Sequence, residues 1–473
     1  MNFISFEFLA LVLILLASIL AVRNANGRKW LLLFAGCVFY AWWDWRFLGL
    51  LFFLAFINYV VSLALIRLPD GQKRHFLFGA GVLADLLFLA FFKYFNFFIQ
   101  SFNTAFNFAD WQLPELQIIL PLGISFFTFE ALSYLIDVYR GQMPAARSLL
   151  DYTVFITFFP RLVSGPIMRG SYFLPQLEGG IKFSRKNAFA GIRLFGQGLV
   201  KKVVVADTLA VAVDPVFSFP ILFDSFTVWI GVLAFAAQIY FDFSGYSDMA
   251  LGVARLLGFE LPSNFNLPYT ARNVNEFWRR WHISLSTWFR DYVFFPLRRS
   301  ILRRRTRLPD WLNQISPIMV TMFLSGLWHG AGWNFVLWGG LHGLALGLTQ
   351  IAGWDRTTNA AWKFPRDWIA GTGVFLWSAF TLVFFRSSSL DVTREVAKKL
   401  LFVDSAGLNW IYLPACALIV ITVAGGFLMR QWKIELDSMD LHRPHAIPYV
   451  FALYLVAFLF AVDTASPFIY FQF

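Results

Sequence analysis

The sequence predicts an all-α integral membrane protein that crosses the bilayer many times. Apolar residues make up 58% of the 473-residue chain and charged residues only 14%, whereas soluble domains carry about a quarter charged residues. The apolar residues fall in runs long enough to cross a hydrocarbon layer of about 30 Å as helices. Basic residues are alternately plentiful and scarce in the loops between those runs, as expected of a polytopic chain.

Taken in order, the segment at 3–22 opens the chain. Met1, Asn2, Phe3 and Ile4 supply no basic leader and no small-residue cleavage site follows, so this segment is expected to stay as a span. Residues 47–66, 76–99, 117–136, 333–352, 368–385, 411–429 and 447–463 are also long or nearly long enough to span. Shorter or interrupted apolar runs at 30–43, 152–168, 203–219, 226–241, 245–258 and 312–327 each fit a tilted span, a re-entrant segment or a buried helix. The expectation is about eleven or twelve spans, with re-entrant and interfacial helices around a central channel. No polar linker separates a soluble domain and no internal repeat is visible, so residues 1–473 are read as one membrane domain.

The net charge of +11 does not imply nucleic acid, because its distribution is topological. Arg23, Arg28 and Lys29 follow the first span, the turn at Asp44–Arg46 is neutral, and Arg67, Lys73 and Arg74 precede the fourth span. The 100–117 loop has no Lys or Arg and carries Asp110 and Glu115. This alternation places the N-terminus outside the cytoplasm, with the basic stretches 140–202 and 255–307 inside. The Arg298–Arg307 cluster suits anionic lipid headgroups. Cys37 and Cys416 both sit in apolar segments without a basic neighbour, which favours structural roles over a disulfide or a nucleophile.

Residues 273–292 are expected to form one amphipathic helix. Asn273 caps it, with Glu276 three residues on in a variant of the capping box. Phe277, Trp281, Leu285, Trp288 and Tyr292 make an apolar stripe, and Asn275, Arg279, His282, Ser286 and Arg290 the opposite one. Such a helix can simply lie in the interface with a solvated basic face. Alternatively Arg272, Arg279, Arg280 and Arg290 attract the phosphates of an acyl donor. Between Tyr240 and Asp248 two carboxylates interrupt an apolar run. Ser244 or Ser247 is expected to cap a helix beginning there, with Asp248 in its first turn. Asp242 needs a partner at depth, a histidine or an arginine.

The stretch Ser325–Gly343 carries Trp328-His329-Gly330, then Trp333-Asn334-Phe335, then Trp338-Gly339-Gly340-Leu341-His342-Gly343. Ionisable groups at membrane depth commonly line a cavity or reaction path. Histidine, with an ordinary pKa of about 6.5, can take and return a proton near neutrality. The competing reading is two hydrogen-bonded core histidines among interfacial tryptophans. No zinc-ligand spacing is present, so no metal is expected.

These motifs resemble the membrane-bound O-acyltransferase superfamily, and within it the bacterial branch that contains the membrane subunit of alginate O-acetylation (AlgI-type proteins). Leu122–Glu130, Ile136–Gly141, Pro160–Pro166, Tyr240–Asp248, Glu276–Trp288 and the C-terminal Ser466–Phe473 resemble the same branch. The resemblance implies a membrane O-acyltransferase with His329 as general base and His282, its second motif histidine, assisting by polarising the carbonyl or holding the donor. Arg279, Arg280, Arg290, Asp242, Trp328, Asn334 and His342 are the candidates for donor binding or channel lining. The same resemblance implies acetyl-CoA as donor, with no bound cofactor, and a bacterial inner-membrane location among membrane lipids. It further implies an extracytoplasmic acetyltransferase partner acting on an exopolysaccharide such as alginate, with acetylated cellulose, peptidoglycan or another glycan as alternatives. A non-catalytic transporter of a polysaccharide or precursor is the rival from another class, although the paired broken helices that would favour it are not seen.

Overall fold

The computed structural model describes residues 1–106, 112–163, 165–303, 309–354, 363–433, 445–460, 468 and 469. Arg304, Arg305 and Arg307 of the basic cluster, and all of the C-terminal motif except Phe468 and Ile469, lie outside the described residues. Those described form helices, turns and loops, with one isolated strand-like bridge between Phe223 and Leu408. Among the described residues, five helical stretches are long and apolar enough to cross a membrane: Ala25–Arg67, Gln72–Ala105, Ser225–Leu256, Arg366–Arg386 and Leu413–Gln431. Phe6–Ala21 and Ala446–Leu459 are shorter apolar helices. The chain is an all-α polytopic membrane protein.

Two compact units emerge, one of residues 1–195 and 249–262, the other of 196–248 and 263–473. The first is organised around motif residues that turn out to be structural. Gly123 starts the Ile124–Tyr139 helix at φ 74, in the left-handed region that glycine enters without a Cβ penalty. A Cβ there would also run into the Leu162 carbonyl. From this helix Glu130 meets the buried Arg161 as an ion pair and accepts a hydrogen bond from the Met168 amide at 3.1 Å. The Arg161 guanidinium also faces the Phe155 and Phe173 rings. A buried pair of this kind is costly to break from one side, about 3–5 kcal/mol. The motifs at 122–130 and 160–166 thus meet in three dimensions, where they hold a fold together.

Two local expectations are overturned in the second unit. The Tyr240–Asp248 segment starts no helix. It lies inside the continuous Ser225–Leu256 helix, so Ser244 and Ser247 cap nothing. Asp248 instead binds Lys201 at 2.6 Å. The two apolar runs read separately at 226–241 and 245–258 are therefore one helix, on which Asp242, Ser244 and Ser247 are buried, with Lys202 pairing Asp242 and Asn264 donating to Ser247. The other correction concerns 273–292. It divides into Val274–Trp278 and Ile283–Phe289, followed by a π-helical turn at Arg290–Phe294. The apolar stripe Phe277, Trp281, Leu285, Trp288 and Tyr292 is buried as expected.

Candidate active site

The break between those two helices is where the site begins. His282 stands at φ 41, a left-handed conformation uncommon outside glycine. Backbone held there costs about 1–3 kcal/mol and is found where the surroundings impose it. Asn264 imposes it here. The Asn264 carbonyl accepts from the Ile283 amide at 2.9 Å, and Asn264 Oδ1 accepts from the Ser284 amide at 3.2 Å and the Ser284 hydroxyl at 2.9 Å. A backbone amide can only donate, so Oδ1 is fixed as the acceptor atom of that side chain. His282 Nδ1 lies 3.1 Å from the same oxygen and must carry the proton it donates. Nε2 is then the basic nitrogen of the neutral ring. Burial pushes the His282 pKa down to about 3, so the ring stays neutral near pH 7. A neutral ring with this tautomer accepts a hydrogen bond at Nε2 and has no second proton to give. Polarising a carbonyl, one of the roles assigned to His282 from the sequence, does not suit it.

His329 ends the Asp310–His329 helix, and Trp333–Ile351 follows after a short turn. The two helices pack without room for side chains at their crossing. A Cβ on Gly326 would enter the Phe335 carbonyl, one on Gly339 the Met322 carbonyl, and one on Gly330 the Phe335 ring. Close approach of this sort is what small residues allow in membranes. It brings the His329 ring edge-on to Trp338 at 5.1 Å and to Phe385 at 5.2 Å. The His282 ring lies 6.4 Å from that of His329, and Trp328 lies 5.9 Å from His282. Both histidines are almost fully buried. Proximity that the sequence left open is thus a feature of the fold.

An internal cavity opens beside His329. Its walls are Ile239, Tyr269, Phe277, Trp281, Trp338, His342, Ser378, Leu382 and Phe385 together with His329 itself. The space is mostly apolar, with a few polar atoms set into it, and its volume of about 10 Å³ is room for about one water molecule. Of the expected lining residues His342 reaches it, as does His329, the expected base. Trp328 packs against the two histidines, while Asn334 donates to the Ser387 carbonyl at 2.9 Å and so ties the turn after His329 to the end of the Arg366–Arg386 helix.

The remaining candidates lie elsewhere in this unit and serve different needs. Asp242 finds a lysine, where a histidine or an arginine was expected: Lys202 Nζ stands 2.8 Å from Asp242 and 2.9 Å from Asp207, and the Ile469 amide donates to Asp242 at 2.8 Å. Arg280 binds Glu276 at 3.0 Å, joined there by Arg272 at 3.2 Å and Arg430 at 2.5 Å. Glu276 also reaches back to the Arg272 amide at 2.9 Å, while Asn273 Oδ1 accepts from the Glu276 amide at 2.8 Å, the capping arrangement expected from the sequence shifted by one residue. Burial opposes the charged form of Glu276, but the Arg272 amide and the guanidiniums of Arg430 and Arg280 outweigh it and hold its pKa down to about 2. Arg279 and Arg290 are exposed, the latter against Asp291.

Asn264, Lys202, Asp207 and Arg430 were not singled out from the sequence. Asn264 sits in a polar loop in the tetrad Ser263-Asn264-Phe265-Asn266, and nothing in that spacing points at a histidine eighteen positions on. Lys202 in an apolar run was the one available signal.

Comparison with known proteins matches this arrangement of motifs. A sequence model of the membrane-bound O-acyltransferase family matches residues 37–385. A protein of Azotobacter vinelandii named "Probable alginate O-acetylase AlgI" is 41% identical over 399 residues, covering 83% of this chain and 76% of the relative. Its namesake in Pseudomonas aeruginosa is 40% identical over 403 residues, 83% of this chain and 73% of the relative. The peptidoglycan O-acetyltransferase of Helicobacter pylori is 34% identical over 415 residues, 82% of this chain and 75% of the relative. With the family matched over most of its length, this chain belongs to the membrane-bound O-acyltransferases and is a membrane O-acyltransferase that serves polysaccharide modification.

Proposed function

We propose that the chain takes an acetyl group from cytoplasmic acetyl-CoA and delivers it across a bacterial inner membrane for O-acetylation of an exopolysaccharide, with alginate as the leading acceptor. The alginate O-acetylases among its relatives support the acetyl group and the glycan. An extracytoplasmic acetyltransferase partner completes the transfer. The N-terminus faces outward, and the basic segment around 255–303 faces the cytoplasm, in keeping with the charge pattern.

His329 is the general base. It removes the proton from the acceptor hydroxyl as the oxygen attacks the thioester carbonyl, and returns that proton to the departing CoA sulfur. His282 remains neutral because burial disfavours its charged form, and its Nε2 accepts a hydrogen bond that orients the acceptor. The observation carrying this reading is that His329, and not His282, lines the cavity while standing 6.4 Å from His282. Exposed Arg279 and Arg290 attract the phosphates of CoA, and the Arg272–Arg280–Arg430 group around Glu276 adds a net positive field behind them.

The test is transfer of labelled acetyl from acetyl-CoA by the purified chain reconstituted with its partner and alginate oligomers. Label on the oligomers supports the reading. Consumption of acetyl-CoA with label on another glycan retains the chemistry and replaces the acceptor, and no consumption overturns the donor.

A further inference from the structure

A larger cavity, of about 140 Å³, lies within the first compact unit and is walled by cations. One wall is the turn between the Phe6–Ala21 and Ala25–Asp44 helices, which brings Arg23, Arg28 and Lys29. The other is the loop after the Gly170–Glu178 helix, which brings Lys182. A single water needs about 10–15 Å³ of such space, so this cavity admits a phosphate group with part of its ester chains.

The acids near these walls are engaged with other bases. Asp151 takes Lys29, and Glu178 takes Arg147 at 3.0 Å. Among the described residues no carboxylate pairs with Arg23, Arg28 or Lys182. Arg28 Nε donates to the Val22 carbonyl at 2.7 Å, and its guanidinium stands 5.8 Å from the centre of the Phe183 ring. These contacts anchor the side chain and leave its two outer nitrogens to donate elsewhere. The Ala25–Asp44 helix also begins here, with no acid in its first turn. A helix N-terminus favours negative charge and disfavours cations, yet Arg28 and Lys29 stand close to this one. Three uncompensated cations and a helix N-terminus around one cavity call for an anion.

We propose that this cavity holds the phosphodiester headgroup of an anionic phospholipid, Arg28 donating to the phosphate with its outer nitrogens while Arg23 and Lys182 approach from the two walls. The source is lipid because the cavity sits where apolar chain meets polar chain. Leu20, in the last turn of the apolar Phe6–Ala21 helix, is exposed, as are Trp30 and Phe183. Tryptophan settles at headgroup level, and basic pockets between membrane helices commonly receive anionic headgroups. A zwitterionic headgroup fits worse, since it brings its own ammonium toward a wall of like charge. The bound phosphate ties the helical turn to the loop, across which Arg28 and Phe183 already meet.

The experiment places the full chain in phosphatidylcholine nanodiscs doped with a phosphatidylglycerol that carries a diazirine on its headgroup glycerol. Crosslinked residues are mapped by mass spectrometry. Adducts should fall on 20–30 and 177–183, and unlabelled phosphatidylglycerol should compete them away. A phosphatidylcholine with the diazirine on its headgroup should label these segments about tenfold less. Combining Arg23→Gln with Lys182→Gln should raise the probe fraction for half-maximal labelling about thirtyfold, each charge contributing about a factor of five. Both side chains are exposed, and the comparison of the two headgroups is made on unaltered protein, so misfolding of the variant does not blur the outcome. Equal labelling by both headgroups in wild type, or labelling that the double variant leaves unchanged, overturns the site. Protection by inorganic phosphate or by CoA, with none by phosphatidylglycerol, assigns the cavity to a soluble phosphate and overturns the lipid.

Discussion

The rings of His282 and His329 stand 6.4 Å apart although they belong to different helices, one at a break and the other at an end. Each is placed by a local device: Asn264 fixes the first, and the glycine crossing of Gly326, Gly330 and Gly339 fixes the second.

Asn264→Ala should loosen His282 without touching the cavity. The lost hydrogen bond frees the ring to change tautomer, so kcat should fall about tenfold or more with KM little altered. Asn264→Asp keeps an acceptor oxygen for Nδ1 and should retain most of the activity. Steady-state kinetics on both variants check this. If both lose activity equally, the acceptor at position 264 is not what His282 needs.

Gly326→Ala should prevent the Asp310–His329 and Trp333–Ile351 helices from closing, because the added methyl meets backbone. Overpacking of this kind typically costs about 1–3 kcal/mol. The expected result is a lowered Tm in detergent and loss of acetylation beyond the loss of protein. Unchanged Tm and activity would show that the close crossing is dispensable.

Glu276→Gln should destabilise the chain more than it alters chemistry. The carboxylate answers three guanidiniums, those of Arg272, Arg280 and Arg430. Removing one side of such a partly buried group should cost on the order of 3 kcal/mol. The sign with pH follows from the lowered pKa, about 2 against an ordinary 4.5. This stabilisation is present in full above the unfolded value and fades as pH falls toward 2. Thermal unfolding from pH 7 to pH 3 should show a smaller decline in the Gln variant than in wild type.

Arg279 and Arg280, adjacent in sequence, should separate in function. Arg279→Gln, on an exposed side chain, should raise the KM for acetyl-CoA and flatten its salt dependence with kcat retained. Arg280→Gln should lower stability through Glu276. Swapped outcomes would reverse the two assignments.

Much of the fold was legible in the sequence because lipid imposes coarse rules: apolar length gives spans, and the Trp328-His329-Gly330 motif stands out against an apolar background. The limits were physical as well. A buried serine or aspartate on a long helix looks like a cap when its partners are distant, as with Ser244, Ser247 and Asp248. His282 occupied the polar stripe of an ideal helix only on the assumption that the helix continued, and the left-handed residue that breaks it has no local signal. The buried pairs Glu130–Arg161 and Lys202–Asp242 join residues far apart in the chain, and spacing cannot report them. The cavity, likewise, is a property of packing and was visible only as His329 and His342 lying in one apolar stretch.

Orientation can be read by labelling. In a chain without Cys37 and Cys416, Thr104→Cys should react with an impermeant maleimide from outside intact cells, and Arg299→Cys only after the membrane is opened. Labelling of both from the same side would reject the proposed topology.

The most direct test of the account is the activity of His329→Gln. Glutamine keeps some hydrogen-bonding capacity and similar bulk but cannot take and return a proton. Positioned base catalysis contributes about 10²–10⁴-fold, so polysaccharide O-acetylation should fall by at least about 10²-fold while the protein inserts and accumulates normally. Retention of more than about a tenth of wild-type acetylation, against that expected loss, would make His329 a packing residue and pass the role of base to His282.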